Sequence, residues 1–381
     1  LNSISFNIYS AINELPATWD QVAESNAFLQ TPYLKVLEES APTNMQCFYI
    51  GIFEEKELIG VALAQYLNVH KLESFGERDK CIKTAIRNFV FKNFASHVLF
   101  LGNNMITGQN GYVFNKPMDF KHISEVLLQC SKDIISYFKK KKITIHIVSF
   151  KDFYEHCSDE LKKYGFGKMY DFNVQPNMVF ELNSEWKTEA DYVAAFSKKY
   201  RDQYKRSHKK YEGIESRELS HDEIVAHEDR IYELYHYVAK NAPFNTFFLA
   251  KNHFSTFKKQ LQEQLRLCGH FLDGKLVGFH TILLNGETLE TYFLGYDEHV
   301  QKEKMLYLNM LYHMTKFGIE NGFKEIIFGR TALEIKSSIG AKPVLMSGFI
   351  FHTNKLINKH IDKIFKKLEP SVDWHQRHPF K

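Results

Sequence analysis

The alternation of apolar and polar positions is sharpest between residues 268 and 340. There the chain reads strand, tight turn, strand, tight turn, strand, basic segment, amphipathic helix, strand. The turns are Asp273-Gly274 and Asn285-Gly286, each flanked by runs rich in β-branched and aromatic residues, the strongest short-range hairpin signature. The pattern predicts a loop over 299–304, a helix over 305–321 and a strand over 324–328. Counting back from a two-residue Asn285-Gly286 turn opposes Leu284 to Glu287, Thr281 to Glu290 and Phe279 to Tyr292. One face then carries Leu276, Gly278, His280, Ile282, Leu284, Leu289 and Phe293. The other carries His270, Phe279, Thr281, Glu290 and Tyr292.

The first half reads as strands at 4–9, 47–53, 57–69, 98–101 and 143–148, with helices at 17–25, 32–39 and 123–139. Segments 70–96 and 102–118 carry no clear period and read as loops. The second half adds strands at 178–182 and 214–219 and helices at 190–211, 222–240, 253–265 and 354–368. Both halves run helices, hairpin, helix, strand. The fragments FEEKELIGVALAQ (53–65) and FLDGKLVGFHTIL (271–283) match in pattern. The expectation is a duplicated α/β (α+β) chain with domains at 1–177 and 178–381. Each would be a mixed, mainly antiparallel twisted sheet flanked by helices.

At 381 residues and 44% apolar, the chain can build two sizeable cores. The 33 Phe and 20 Tyr point to aromatic-filled cores under the sheets, with a groove for a long apolar substrate as the alternative. A net charge of +4 supports no general claim of DNA binding. Five cysteines, at 47, 81, 130, 157 and 268, form no Cys-x-x-Cys pair and fit free thiols in a reducing cytoplasm. No metal is implied, and no run of residues is apolar enough to span a bilayer.

The second strand face collects a carboxylate, an imidazole, a phenol and a hydroxyl, and Glu290 or His270 would serve as a base if burial tuned its pKa. His280, on the apolar face, reads as a core histidine. Arg330 and Lys336 sit six residues apart beside Gly340, where a fixed cation would hold an oxyanion or a phosphate. Backbone amides and cations at the helix start suit an anionic, nucleotide-bearing donor. A basic stripe of Lys198, Arg201, Lys205 and Lys209, and a second along Lys355, Lys359, Lys363, Lys366 and Lys367, suit either a phosphate clamp or anionic lipid head groups at the inner membrane face.

Residues 269–297 (GHFLDGKLVGFHTILLNGETLETYFLGYD), the helix after them and 328–344 (FGRTALEIKSSIGAKPV) resemble the GNAT superfamily of acyltransferases. More narrowly they resemble its tandem group, which includes the FemAB-like peptidyltransferases. The segment 19–40 and the basic helix FSKKYRDQYKRSHKK (196–210) extend the likeness over most of the chain. The resemblance implies a cytoplasmic N-acyltransferase that moves an acyl group from acyl-CoA or acyl carrier protein to a primary amine of a small-molecule or lipid-like acceptor, with no tightly bound cofactor. For that transfer Glu290 and His270, read from the strand face, are the candidate catalytic bases; the resemblance adds Lys336, and Tyr307 as a proton donor to the leaving thiolate. Donor binding falls to Tyr292, Leu294, Gln301, Lys302, Lys304, Met305 and Arg330. The family's Gln/Arg-x-x-Gly-x-Gly/Ala loop corresponds to 301–306, which holds no glycine. Two alternatives accompany this reading: an aminoacyl-tRNA-dependent peptidyltransferase, and an inactive binding module of the same fold.

Overall fold

The computed structural model describes residues 4–69, 93–173, 175–242, 245–366 and 374–381. The chain forms two compact units, each around its own twisted sheet. In the first sheet the main path is β1 (Ile4–Tyr9), β2 (Met45–Glu54), β3 (Glu57–Asn68), β4 (His97–Leu101), β6 (Ile147–Tyr154), β15 (Met346–His352) and β7 (Tyr170–Asn173), with β5 (Tyr112–Phe114) paired beside β3. The second runs β9 (Ile214–Glu218), β10 (Leu265–Leu272), β11 (Lys275–Asn285), β12 (Thr288–Tyr296), β13 (Glu325–Gly329), β8 (Asn177–Glu181) and β14 (Lys342–Val344).

The two orders are the same order written twice. Among the described residues each sheet has one parallel pair, β4 with β6 and β12 with β13, joined through a helix in the first sheet, α1 (Phe120–Lys140), and through a longer connection in the second. The duplication extends to irregularities. In the first hairpin Ile52 opposes Gly60, with a bulge between Ile52 and Phe53; in the second His270 opposes Gly278, with a bulge between His270 and Phe271. These positions fall at matching places in the two fragments aligned above, so both the hairpin and its kink are repeated.

The division is not the contiguous one expected at 177/178. Residues 345–371 group with the first unit, and β15 lies there between β6 and β7 although it follows β14 in the chain. Reciprocally, β8 follows β7 in the chain but pairs between β13 and β14. Strand pairing of this kind is non-local, and no local pattern reports it.

Several elements end where a local signal breaks them. The helix expected over 190–211 is two, α2 (Glu189–Ala195) and α3 (Lys198–Tyr211), because Phe196 and Ser197 are extended. The 222–240 stretch breaks at His227 into His221–Ala226 and α4 (Glu228–Asn241). The 253–265 stretch gives α5 (His253–Leu261), followed by a short 3-10 turn before β10. Residues 354–368 form two short helices, Lys355–Asn358 and Ile361–Lys366. The expected loop at 299–304 is helical, α6 (Glu298–Lys304), and α7 (Leu306–Glu320) follows it directly. A short helix, α8 (Leu333–Ser337), precedes β14. Most of the expected loop at 70–96 and Lys367 lie outside the described residues. Among the described residues no helix is long and apolar enough to cross a membrane.

The second core is built on both faces of its sheet. Ile282, Leu289, Leu306, Met310 and Tyr312 pack on the α7 side. On the other side Phe279 meets Phe254 of α5, and Phe293 meets Tyr235 of α4. Gly295 lies where β12 passes under α4. A Cβ there would stand 2.5 Å from the backbone carbon of Leu234 and the amide nitrogen of Tyr235. Backbone cannot step aside as a side-chain tip can, so Gly295→Ala is expected to destabilise by about 2 kcal/mol or more. A thermal unfolding scan should show the midpoint several degrees lower.

Candidate active site

The site is built where β12 and β13 part. Their parallel pairing covers three rungs, Thr288–Glu325, Leu289–Ile326 and Glu290–Ile327, and stops there while both strands continue. The cause is visible in β12. Its ladder with β11 skips from Ile282–Thr291 to His280–Leu294, so Tyr292 and Phe293 together oppose Thr281. A bulge of this kind bends its strand and adds twist.

Glu290 occupies the last shared rung. It is 2% exposed, and among the described residues its Oε2 has no hydrogen-bond partner. Desolvation pushes its carboxyl up to about 8; the Asn285 side chain opposes that shift and the nearby Glu325 adds to it. Its cross-strand neighbour is Leu283, not Thr281. The slip has a simple origin: Asn285 stays in the ladder opposite Thr288, so the turn is Gly286-Glu287, with Gly286 alone at positive φ. The shift is two residues, an even number, so Glu290 keeps the face expected for it.

Lys336 reaches the same end of the sheet from α8. Its amine donates to the carbonyls of Gly329 (3.2 Å) and Arg330 (2.6 Å), two and three residues past Ile327, the register partner of Glu290. The side chain is buried, and desolvation brings its amine down to about 7. No carboxylate among the described residues pairs with it. The loop it holds is strained: Gly329, Thr331 and Ala332 have φ of 71°, 69° and 48°. A β-branched residue in the left-handed region is uncommon, and such strain gathers at functional sites. Arg330 leads out of β13 with its Nε donating to the carbonyl of Gln175.

His270 and Tyr307 are not brought to Glu290. The bulge beside Phe271 sets His270 opposite Gly278 instead of Val277 and turns it to the other face, where its Nε2 lies 2.8 Å from His280 Nδ1. Burial holds both imidazoles well below their usual range. Tyr307, in the first turn of α7, leans on the Tyr296 ring at 6.2 Å, and desolvation raises its phenol, which stays protonated at neutral pH.

The expected donor residues scatter. Tyr292 lies 3.1 Å from His253 Nε2, and Leu294 packs against the core opposite His280. Gln301, Lys302 and Lys304 belong to α6; Lys302 pairs with Glu298 at 2.6 Å and Lys304 donates to the Glu212 carbonyl. Met305 joins α6 to α7 in the left-handed conformation. A helix therefore stands where an open, glycine-lined phosphate loop would be.

Asn177, at the start of β8, escaped the sequence reading. It is fully buried, and among the described residues neither end of its amide has a partner. A lone Asn at a strand edge carries no signal in sequence.

Two sheets of one order, each with a kinked hairpin and a single parallel pair, define a tandem GNAT fold. Residues 11–381 match the FemAB-like family, described as peptidoglycan biosynthesis and recognition. The chain belongs to that family. A crystal structure of FemX aligns at a TM-score of 0.56 and 12% identity, covering 93% of this chain and 100% of that one. A protein of unknown function from Bacteroides thetaiotaomicron aligns at 0.50 and 13% identity, covering 91% and 99%. A tandem GNAT protein from the clavulanic acid biosynthesis pathway aligns at 0.49 and 10%, covering 92% and 98%. The search of curated proteins gives no match. Family membership marks the chain as a transferase.

Proposed function

We propose that the second unit transfers an aminoacyl group from an ester-linked, tRNA-like carrier to a primary amine on a peptidoglycan-precursor-like acceptor. The observation that carries this reading is Glu290: a buried carboxyl with a raised pKa and an unpaired oxygen, at the point where two parallel strands part. In the reaction the acceptor amine attacks the ester carbonyl and a C–N bond forms. Glu290 takes the proton the nitrogen sheds and returns it to the leaving oxygen as the ester C–O bond breaks, so the carboxylate is regenerated. Lys336 is placed to become a cation when negative charge develops beside it.

Two features favour this donor over the acyl thioester that the sequence resemblance suggests. The α6 helix and its paired lysines offer no glycine cradle for a pyrophosphate. On α3, Lys198, Lys199, Lys205, Arg206, Lys209 and Lys210 are exposed, a face suited to a polyphosphate backbone. The family's link to peptidoglycan supports the acceptor class.

Binding assays separate the donors. The expected result is tRNA binding whose affinity falls steeply with salt, with no change in melting temperature on adding CoA or acetyl-CoA. A clear thermal shift with CoA, and none with tRNA, would return the assignment to a thioester donor.

A further inference from the structure

On the face of the second sheet away from Glu290, Cys268, His270 and His280 converge. Cys268 and His270 are two apart on β10, and His280 on β11 is directly opposite Cys268, so strand geometry points all three to one side. Their donor atoms all lie within 4.8 Å of one another. His270 and His280 are 0% and 4% exposed. The ring of His313, from α7, lies 5.6 Å from that of His270 and 6.4 Å from that of His280.

We propose that Cys268, His270 and His280 bind a thiophilic divalent metal ion, zinc in the first instance, with His313 turning in as the fourth ligand. Thiolate and imidazole are the donors zinc prefers in closed tetrahedral sites. Zinc–nitrogen bonds of about 2.1 Å put two ligand nitrogens about 3.4 Å apart. The present His270 Nε2–His280 Nδ1 separation of 2.8 Å needs only a small opening.

The surroundings are those of a ligand set. A metal-bound imidazole gives its second N–H to an acceptor that fixes ring and tautomer. His270 Nδ1 faces just such groups, the hydroxyls of Tyr211 and Ser216, the latter at 2.8 Å. The ion would tie β10, β11 and α7 together. It has no part in the acyl-transfer step proposed above, because it lies on the opposite face from Glu290.

The test is metal analysis of the full chain, purified without chelators or an immobilised-metal column. About one zinc per chain is expected in the wild type, and a several-fold lower content in Cys268→Ser. Cobalt added to the apoprotein should give near-ultraviolet thiolate-to-metal absorption that Cys268→Ser lacks. Wild-type protein that holds no zinc and shows no such absorption with cobalt overturns the proposal. That outcome would leave a hydrogen-bonded Tyr211–His270–His280 run and nothing more. The wild-type cobalt spectrum decides the question even if the variant fails to fold, and neither readout depends on transferase activity.

Discussion

Glu290→Gln should lower kcat by about 10²- to 10³-fold, the range of a positioned general base, with donor binding unchanged. The substitution keeps the shape and removes only the ability to take a proton. It should also change stability in a pH-dependent way. In the folded chain Glu290 holds its proton up to about 8, whereas an ordinary Glu loses it near 4.5. Between those values the unfolded state binds fewer protons, so stability falls as pH rises from 4.5 to 8 and stays reduced above. The Gln variant lacks that loss. Its melting temperature should therefore exceed that of the wild type at pH 9 while its turnover is nearly gone. Wild-type turnover in this variant would remove Glu290 from the mechanism. A more stable but inactive protein would show that the carboxyl is kept buried for chemistry, at a cost to the fold.

Lys336→Met should reduce kcat by about 10²-fold with a small change in KM, since the amine is needed for charge that develops during reaction. Lys336→Ala should lose activity and also unfold more readily, because it leaves a void and strips two part-buried carbonyls of their donor. The pH dependence runs opposite to that of Glu290. The folded amine gives up its proton near 7 and an unfolded one near 10.5, so stability rises with pH between these values. For catalysis the cation is required and fades above about 7, while the Glu290 carboxylate appears towards about 8. The profile of kcat/KM is therefore expected to be a bell with its top between the two. The Lys336→Met variant should lose the alkaline limb and Glu290→Gln the acid one. An unchanged rate in Lys336→Met would leave the residue a role only in holding the strained loop.

Local signals in this sequence are reliable where one residue type must occupy one backbone state. Asp273-Gly274 is a two-residue turn because both positions take positive φ, 50° and 73°. At Asn285-Gly286 the same signature misleads by one step, since only the glycine leaves the ladder. Bulges are the larger source of error. The one at His270/Phe271 reverses the face of His270, and the one in β12 changes every partner beyond Thr291. The first is flanked by Gly278 on β11, but the second, at Tyr292 and Phe293, has no glycine or proline beside it to announce it. Glu290 was legible from its place on the polar strand face, and Lys336 from its spacing to Arg330 beside Gly340 and from the family resemblance. The helical 298–304 segment did not, because its polar residues read equally well as a loop. The strand MSGFIFH (346–352) passed unnoticed: it is short, and its partners are β6 and β7, far back in the chain.

The position of that strand has a consequence for biosynthesis. While the ribosome is still making the second half, β6 and β7 of the first sheet each present an edge that no residue yet translated is built to cover. Only when 346–352 leaves the exit tunnel can the two be bridged. The nascent chain must thus shelter an unfinished sheet through nearly half its synthesis, a window in which chaperones would have their strongest claim on it.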